Sequence, residues 1–213
     1  TRLTQDIKSG LHYVMANKIF LYMASFFLAA GLALGLINPL GIFVITEHLG
    51  LKAEQLQWFT AMNSAGIILG GMLMMALSRR MTPRVMLLIG FVCSSAAVAF
   101  VGTTTSIGVA FAAQFAAGLL IPFIHISCQT LMMSHADEAY VGRVSGIMSP
   151  IFIGGMVLTM SIVGILKASL PLGVIYGLSA VLFLAGAIGV IPLLRHKQPA
   201  PSAATVHSSA FHH

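Results

Sequence analysis

Six long hydrophobic runs constrain the fold of this chain more than any other feature of its sequence. Each reaches the roughly 20 residues that a helix needs to cross a bilayer. We expect one bundle over residues 19–194, with spans at 19–46, 54–78, 84–103, 106–133, 141–166 and 171–194. Inside the hydrocarbon every backbone polar group must be hydrogen-bonded within the protein, which favours helices. The sequence therefore predicts an all-α membrane protein with six transmembrane helices.

The composition also argues against a soluble protein. Hydrophobic residues make up 58% of the 213 residues and charged residues only 8%, whereas soluble domains are about one-quarter charged. The net charge is +6, but the basic residues lie between the hydrophobic runs rather than along one continuous face. We therefore expect no nucleic-acid partner.

The distribution of basic residues predicts the orientation in the membrane. Two of them, Lys52 and Lys167, lie on one side of the predicted spans. The other nine lie on the opposite side: Arg2, Lys8, Lys18, Arg79, Arg80, Arg84, Arg143, Arg195 and Lys197. Cytoplasmic loops carry an excess of Lys and Arg, so the side with nine is predicted to be cytoplasmic. Because the spans are even in number, both termini are expected there.

The segments that flank the spans are expected to differ from each other. Residues 1–18 place Ile7 and Leu11 at helical spacing, which is typical of an amphipathic helix on the membrane surface. Residues 195–213 are rich in Pro, Ala and Ser, which predicts a disordered cytoplasmic tail. Because the chain opens with Thr1 and a polar stretch, we expect further residues to precede it.

Glycine and proline residues inside the spans predict how the helices meet. Glycines four residues apart permit close helix approach, and such pairs occur at Gly31 and Gly35, Gly66 and Gly70, Gly142 and Gly146, and Gly173 and Gly177. Pro39, Pro122 and Pro150 each remove a backbone donor and are expected to kink their helices. Such kinks either line a cavity or are absorbed by neighbouring helices, and the sequence leaves both interpretations open.

A few polar side chains lie at the depth of the hydrocarbon core and are candidates for substrate contact. His125 is the clearly ionisable one, and such groups tend to face a bundle interior or an aqueous pathway. Gln129 follows one helical turn later on the same face, while Asn38 and Asn63 lie in the first and second spans. We predict these four as contacts in a substrate cavity. The alternative for His125 is a neutral histidine that is hydrogen-bonded inside the bundle.

Catalytic and metal-binding motifs are missing from the sequence. There is no P-loop, HExxH, CxxC or GxSxG, and Cys93 and Cys128 lie inside apolar runs, as small buried hydrophobes do. We therefore expect no enzyme activity, disulfide, metal site or cofactor. Glu47 and Glu54 only border the external loop, so no carboxylate proton relay is expected in this segment. An apolar cavity dotted with polar groups favours small amphiphilic substrates.

Four stretches of the chain resemble the C-terminal half of the major facilitator superfamily, in particular its drug- and siderophore-export branch. They are QDIKSGLHYV, NPLGIFVITEHLGLKAEQLQW, GGMLMMALSRRMTPRVMLLIG and GLLIPFIHISCQTLMMSHADEAYVGRVSG. The third is similar to the loop signature of the superfamily and the fourth to the passage between the fourth and fifth spans. The resemblance extends over residues 5–194.

The match to the loop signature is incomplete. Arg80 and Arg84 fit its basic positions, whereas Arg79 stands where the signature usually has Asp and Thr82 where it usually has Gly. With Arg143 at the start of the fifth span, Arg79, Arg80 and Arg84 are the candidates for a conformational role at the cytoplasmic loops. In the fourth span, His125 stands where relatives often have Asn.

The resemblance implies two inverted three-helix repeats, which pair with a similar N-terminal six-helix half around a midplane cavity. That N-terminal half would belong to the same chain or to a separate one. The implied function is export of drugs or other small amphiphilic molecules by alternating access, coupled to protons. The transporter would lie in a bacterial inner membrane, in contact with membrane lipid.

Two other functions stay open at this point. Relatives of the same branch move lysophospholipids or other lipids, so a flippase is one alternative. The other is a stand-alone six-helix channel or assembly protein that homodimerises. A water channel would need a second Asn-Pro pair besides Asn38 and Pro39, and the PxDxxK repeat of mitochondrial-type carriers is absent.

Overall fold

The computed structural model describes Met15, residues 18–135 and residues 141–195. Over these residues the chain forms six long helices and no strand: α1 (Lys18–Ile37), α2 (Leu56–Leu77), α3 (Pro83–Thr103), α4 (Ile107–His135), α5 (Val141–Ser169) and α6 (Leu172–Arg195). All six are long and apolar enough to cross a membrane, which confirms the predicted all-α membrane fold. The predicted surface segment 1–18 and the tail 195–213 lie almost entirely outside the described residues.

The first span continues beyond α1 in three short segments of changing geometry. A 3₁₀ turn at Asn38–Leu40 leads into a helical turn at Gly41–Phe43 and then into a π-helical turn at Val44–His48. The change begins where Pro39 lacks a backbone N–H to donate. By contrast, Pro122 and Pro150 lie inside α4 and α5, which stay continuous α-helices. Of these three prolines, only Pro39 accompanies a change of helix type.

The pairing of the helices has an internal symmetry. Helix α1 packs mainly against α5 and α6, α4 packs mainly against α2 and α3, and α3 also packs against α6. Exchanging α1 with α4, α2 with α5 and α3 with α6 gives the same set of pairs: α1–α5 becomes α2–α4, α1–α6 becomes α3–α4, and α3–α6 is unchanged. The bundle therefore has the organisation expected of two three-helix repeats.

Glycines bring two of these helix pairs into backbone contact. A Cβ at Gly31 or Gly35 would meet the backbone oxygens of α5, and one at Gly66 or Gly70 would meet those of α4. In the other direction, a Cβ at Gly118 would meet the backbone of α2. No side chain fits between these helices, so glycine sets the closest approach that the pairs α1–α5 and α2–α4 can make.

Two buried serines join helices through hydrogen bonds. The Ser179 hydroxyl in α6 donates to the Ala33 carbonyl in α1, and the Ser95 hydroxyl in α3 donates to the Ala180 carbonyl in α6, both at 2.8 Å. Each bond satisfies a hydroxyl that would otherwise be unpaired in an apolar interior. Helix α6 is thereby tied to both α1 and α3.

Helices α2 and α5 keep most of their apolar surface uncovered. In their most hydrophobic stretches only 17% of the residues are buried, against 56% in α3. Met72, Met75, Leu158 and Ile165 are each at least 60% exposed. Such faces require lipid or another apolar protein surface around them.

Candidate functional site

A cavity of about 440 Å³ lies among the helices, within the size range of pockets for small molecules. Helix α1 with its extension and helix α4 supply most of its lining, and the other four helices supply the rest. The lining residues are Phe26, Phe27, Ala30, Leu34, Ile37, Asn38, Pro39, Gly41, Ile42, Leu56, Phe59, Thr60, Asn63, Phe91, Ser94, Val98, Val101, Gln114, Ala117, Ile121, Ile124, His125, Cys128, Phe152, Tyr176 and Phe183. The surface is thus apolar and rich in aromatic rings, with a few polar groups.

The structure brings three of the four predicted cavity residues together. Asn38, Asn63 and His125, from three different helical segments, all line the cavity. Gln129 does not: its side chain is exposed on α4, and Cys128 occupies the lining position beside it.

The side chain of Asn63 is held in place by the neighbouring helix. Its Nδ2 donates to the backbone carbonyl of Gln114 at 3.2 Å, close to the point where Gly118 approaches the Asn63 backbone. Asn38 is held less firmly, since its Nδ2 lies 3.9 Å from the Met156 sulfur, a weak acceptor. The Asn38 amide therefore keeps most of its hydrogen-bonding capacity for a ligand.

His125 belongs to a row of three rings that crosses the bundle. Its imidazole lies edge to face against Phe152, with ring centroids 5.8 Å apart. Phe152 in turn lies edge to face against Phe27, with centroids 6.4 Å apart. The row connects α4, α5 and α1. Edge-to-face geometry is the favourable arrangement for such rings.

Sequence reasoning did not single out Gln114 or the aromatic lining. Gln114 precedes His125 by 11 residues, close to three full helical turns, so its helical register relative to His125 was the signal that could have identified it. Phe59, Phe91 and Phe183 carried no such signal, because phenylalanine is common on every face of a membrane helix. Only tertiary contacts separate the rings that line a cavity from those that face lipid.

Charge is absent from this surface as far as the structure describes it. Among the described residues, no Asp, Glu, Lys or Arg lines the cavity. An ion pair lies outside this lining instead, where the Lys167 ammonium is 2.6 Å from the Glu47 carboxylate and 5.1 Å from the centre of the Phe43 ring. The described lining therefore carries no permanently charged side chain.

Three of the four predicted loop arginines, Arg79, Arg80 and Arg84, are not part of the cavity lining. Arg79 and Arg80 are exposed between α2 and α3, while Arg84 in the first turn of α3 is buried, with 8% of its surface exposed. Arg143 lies in the first turn of α5, and its side chain is outside the described part of the structure. These positions suit a role at the membrane surface rather than in substrate contact.

Comparison with known proteins gives two findings. A family model described as Major Facilitator Superfamily matches residues 20–212. The chain is also similar to an uncharacterized MFS-type transporter, YkuC, of Bacillus subtilis (strain 168), with 26% identity over 165 residues. The aligned region covers 76% of this chain but only 38% of that relative. The aligned part of the chain therefore spans well under half the length of this curated relative.

Proposed function

This chain belongs to the Major Facilitator Superfamily, and from that membership we propose that it is one six-helix bundle of a secondary active transporter rather than an enzyme. The proposed transporter exports drugs or other small amphiphilic molecules by alternating access. It acts in a bacterial inner membrane, with both ends of this chain in the cytoplasm, as the excess of basic residues on that side supports.

The observation that carries the proposal is the cavity between α1 and α4. Its volume, about 440 Å³, suits a small organic molecule, and its lining combines apolar side chains with Asn38, Asn63 and Gln114. Such a surface binds a molecule that has both an apolar body and a polar group. Export of amphiphiles uses the cavity as it stands, whereas a transporter of ions or highly charged metabolites would need charged ligands in it.

A second six-helix bundle completes the proposed transporter. Helices α2 and α5 expose apolar side chains such as Met75 and Ile165. The aligned region covers only 38% of the relative, so the rest of that protein is long enough to contain further transmembrane helices. We propose that the missing bundle, in the same chain or a separate one, packs on one of these faces while lipid covers the rest. Alternating access then arises as one bundle rocks against the other.

Proton coupling is proposed to involve His125. Histidine is the side chain whose ordinary charge change falls near neutral pH, and among the described cavity residues it is the only His, Asp or Glu. A carboxylate of the second bundle is the other place for the coupling proton. In either case, protonation would change the charge of the cavity while the substrate is bound.

Flux measurements test the proposed function directly. Inside-out vesicles would be prepared from bacterial cells that make the protein in its native, complete form, and a pH gradient would be imposed. We expect a fluorescent amphiphile to accumulate in the vesicles and the accumulation to stop when the gradient is dissipated. Movement of a labelled lysophospholipid without movement of the amphiphile would instead support a flippase, and the absence of both would reject the proposal.

A further inference from the structure

We propose that this cavity selects uncharged ligands. Each ligand has a flat apolar body and one hydrogen-bonding group, such as an ether, hydroxyl or carbonyl. The side-chain amides of Gln114 and Asn38 bind that hydrogen-bonding group. This inference rests on the proposed function and names the substrate class of the same site. It concerns binding, so it is tested separately from transport.

The first step of the argument is the cost of burying a charge. In the described lining no Asp, Glu, Lys or Arg could pair with a charged ligand. Glu47 and Lys167, which lie outside the described lining, already pair with each other at 2.6 Å. An ion that left water for this cavity would lose its hydration without gaining a counter-ion from the described lining, which is strongly unfavourable.

The second step concerns the polar groups that remain. The Asn63 amide nitrogen is engaged with the Gln114 carbonyl, whereas within the described part of the structure no hydrogen bond is found for the Gln114 side chain. Gln114 is partly buried, and a partly buried amide without a partner gains from a ligand that supplies one. Asn38 has only its long contact to sulfur. These two amides are neutral donors and acceptors, so they favour a neutral polar group.

The third step excludes a cage for cations. Aromatic cages bind quaternary ammonium groups when several ring faces surround the cation. Here Phe26, Phe91 and Phe183 are at most 3% exposed and pack against one another, with Phe91 in edge or tilted contact with both partners. Phe152 is also engaged, edge to face, with His125 and Phe27. The buried rings therefore leave no box of free faces for a cation, and the partly exposed rings of Phe27 and Phe152 remain as apolar surface for a flat body.

Binding of three matched probes to the complete, purified transporter in lipid nanodiscs tests the proposal. The probes are a naphthyl ether that ends in a tert-butyl group, its isostere that ends in trimethylammonium, and a counterpart that ends in carboxylate. Empty nanodiscs correct for partition into lipid. We expect the neutral ether to bind at least about tenfold more tightly than either charged probe, because only the neutral probe avoids the loss of hydration.

Variants of Gln114 test the role of its amide. Gln114→Met should weaken binding of the ether roughly fivefold, the loss of about one hydrogen bond, and leave an analogue with CH₂ in place of the ether oxygen unaffected. Gln57→Met is the matched control, because Gln57 is an exposed glutamine of α2 outside the cavity. If Gln114→Met does not fold, Gln114→Glu at alkaline pH serves instead, and it should raise the affinity for the trimethylammonium probe at least about tenfold.

Three outcomes would overturn the inference. They are equal or tighter binding of a charged probe, no binding of any probe, and equal effects of Gln114→Met and Gln57→Met. Tight binding of the neutral ether without any gradient-driven flux would instead reject the proposed transport and leave the inference intact.

Discussion

The imidazole of His125 stands edge to face on the ring of Phe152, with centroids 5.8 Å apart and planes at 76°. This contact joins α4 to α5, two helices that otherwise meet at few points. Because Phe152 also touches Phe27 of α1, the contact links helix α4 to the α1 side of the cavity. His125 therefore combines an aromatic contact with a polar, titratable surface.

Substitution of His125 separates these two properties. His125→Phe keeps an aromatic ring against Phe152, so we expect unfolding stability within about 0.5 kcal/mol of the natural protein, whereas His125→Ala should lose about 0.5–1.5 kcal/mol. If the ring nitrogens serve transport, both variants should lose most proton-driven flux. Thermal unfolding in detergent and flux in vesicles provide the two measurements, and full flux in His125→Phe would contradict a polar role.

Gly70 and Gly71 provide a matched pair for the test of close helix packing. A Cβ at Gly70 would meet the backbone of Leu119 in α4, whereas one at Gly71 would meet nothing within contact distance. Gly70→Ala should therefore destabilise the bundle by about 1–3 kcal/mol through overpacking. Gly71→Ala should be neutral or stabilising by up to about 1 kcal/mol, because alanine favours the helix. Equal unfolding temperatures for the two variants would contradict the α2–α4 contact described here.

The hydrogen bond from Ser179 to Ala33 should contribute measurably to stability. Ser179→Ala removes the hydroxyl that donates this buried hydrogen bond from α6 to α1. Hydrogen bonds between helices in membrane bundles contribute about 0.6 kcal/mol on average, with a maximum near 1.7. Ser161→Ala is the control, because the Ser161 hydroxyl is exposed and bonds within its own helix, to Val157. Chemical unfolding in mixed micelles would measure both, and a larger loss in Ser161→Ala would contradict the assignment.

The ion pair between Lys167 and Glu47 should be weak and salt-dependent. The two side chains are 22% and 52% exposed, so solvent screens the pair and a coupling of about 0.2–1 kcal/mol is expected. A double-mutant cycle with Glu47→Gln and Lys167→Met would measure it at low and high salt. Lys52→Met, at another exposed lysine, is the control and should show no coupling to Glu47. A coupling that does not change with salt would indicate a contact shielded from water.

Hydrophobic runs were sufficient to predict the helices but not their arrangement. The predicted spans and the observed helices agree closely, as at 84–103 against Pro83–Thr103 and 171–194 against Leu172–Arg195. Each run is apolar on every side, however, so its periodicity does not identify the face that contacts a neighbour. The contacts of Gly66 and Gly70 with α4 depend on that face, and glycine spacing alone could not reveal the partner.

The structure places the isolated polar residues of the sequence analysis in the cavity lining, but not the residue chosen by its helical register. Asn38, Asn63 and His125 stood out because polar groups are costly in hydrocarbon, and all three line the cavity. Gln129 was predicted from its position one turn after His125. On α4 the lining passes through Ile121, Ile124 and Cys128, which leaves His125 at the edge of the cavity and Gln129 beyond it.

The symmetric pairing of the helices has a consequence for biosynthesis. Among the six described helices, α1 leaves the ribosome before the other five, yet its main partners, α5 and α6, are the last of the six to be made. Until α5 has been synthesised, the helix face that carries Gly31 and Gly35 contacts lipid or a non-native neighbouring helix, because the α5 backbone against which it packs is not yet present. A ribosome that stops after α4 would leave α1 without its two main partners, so quality control in the cell should recognise such fragments by this helix.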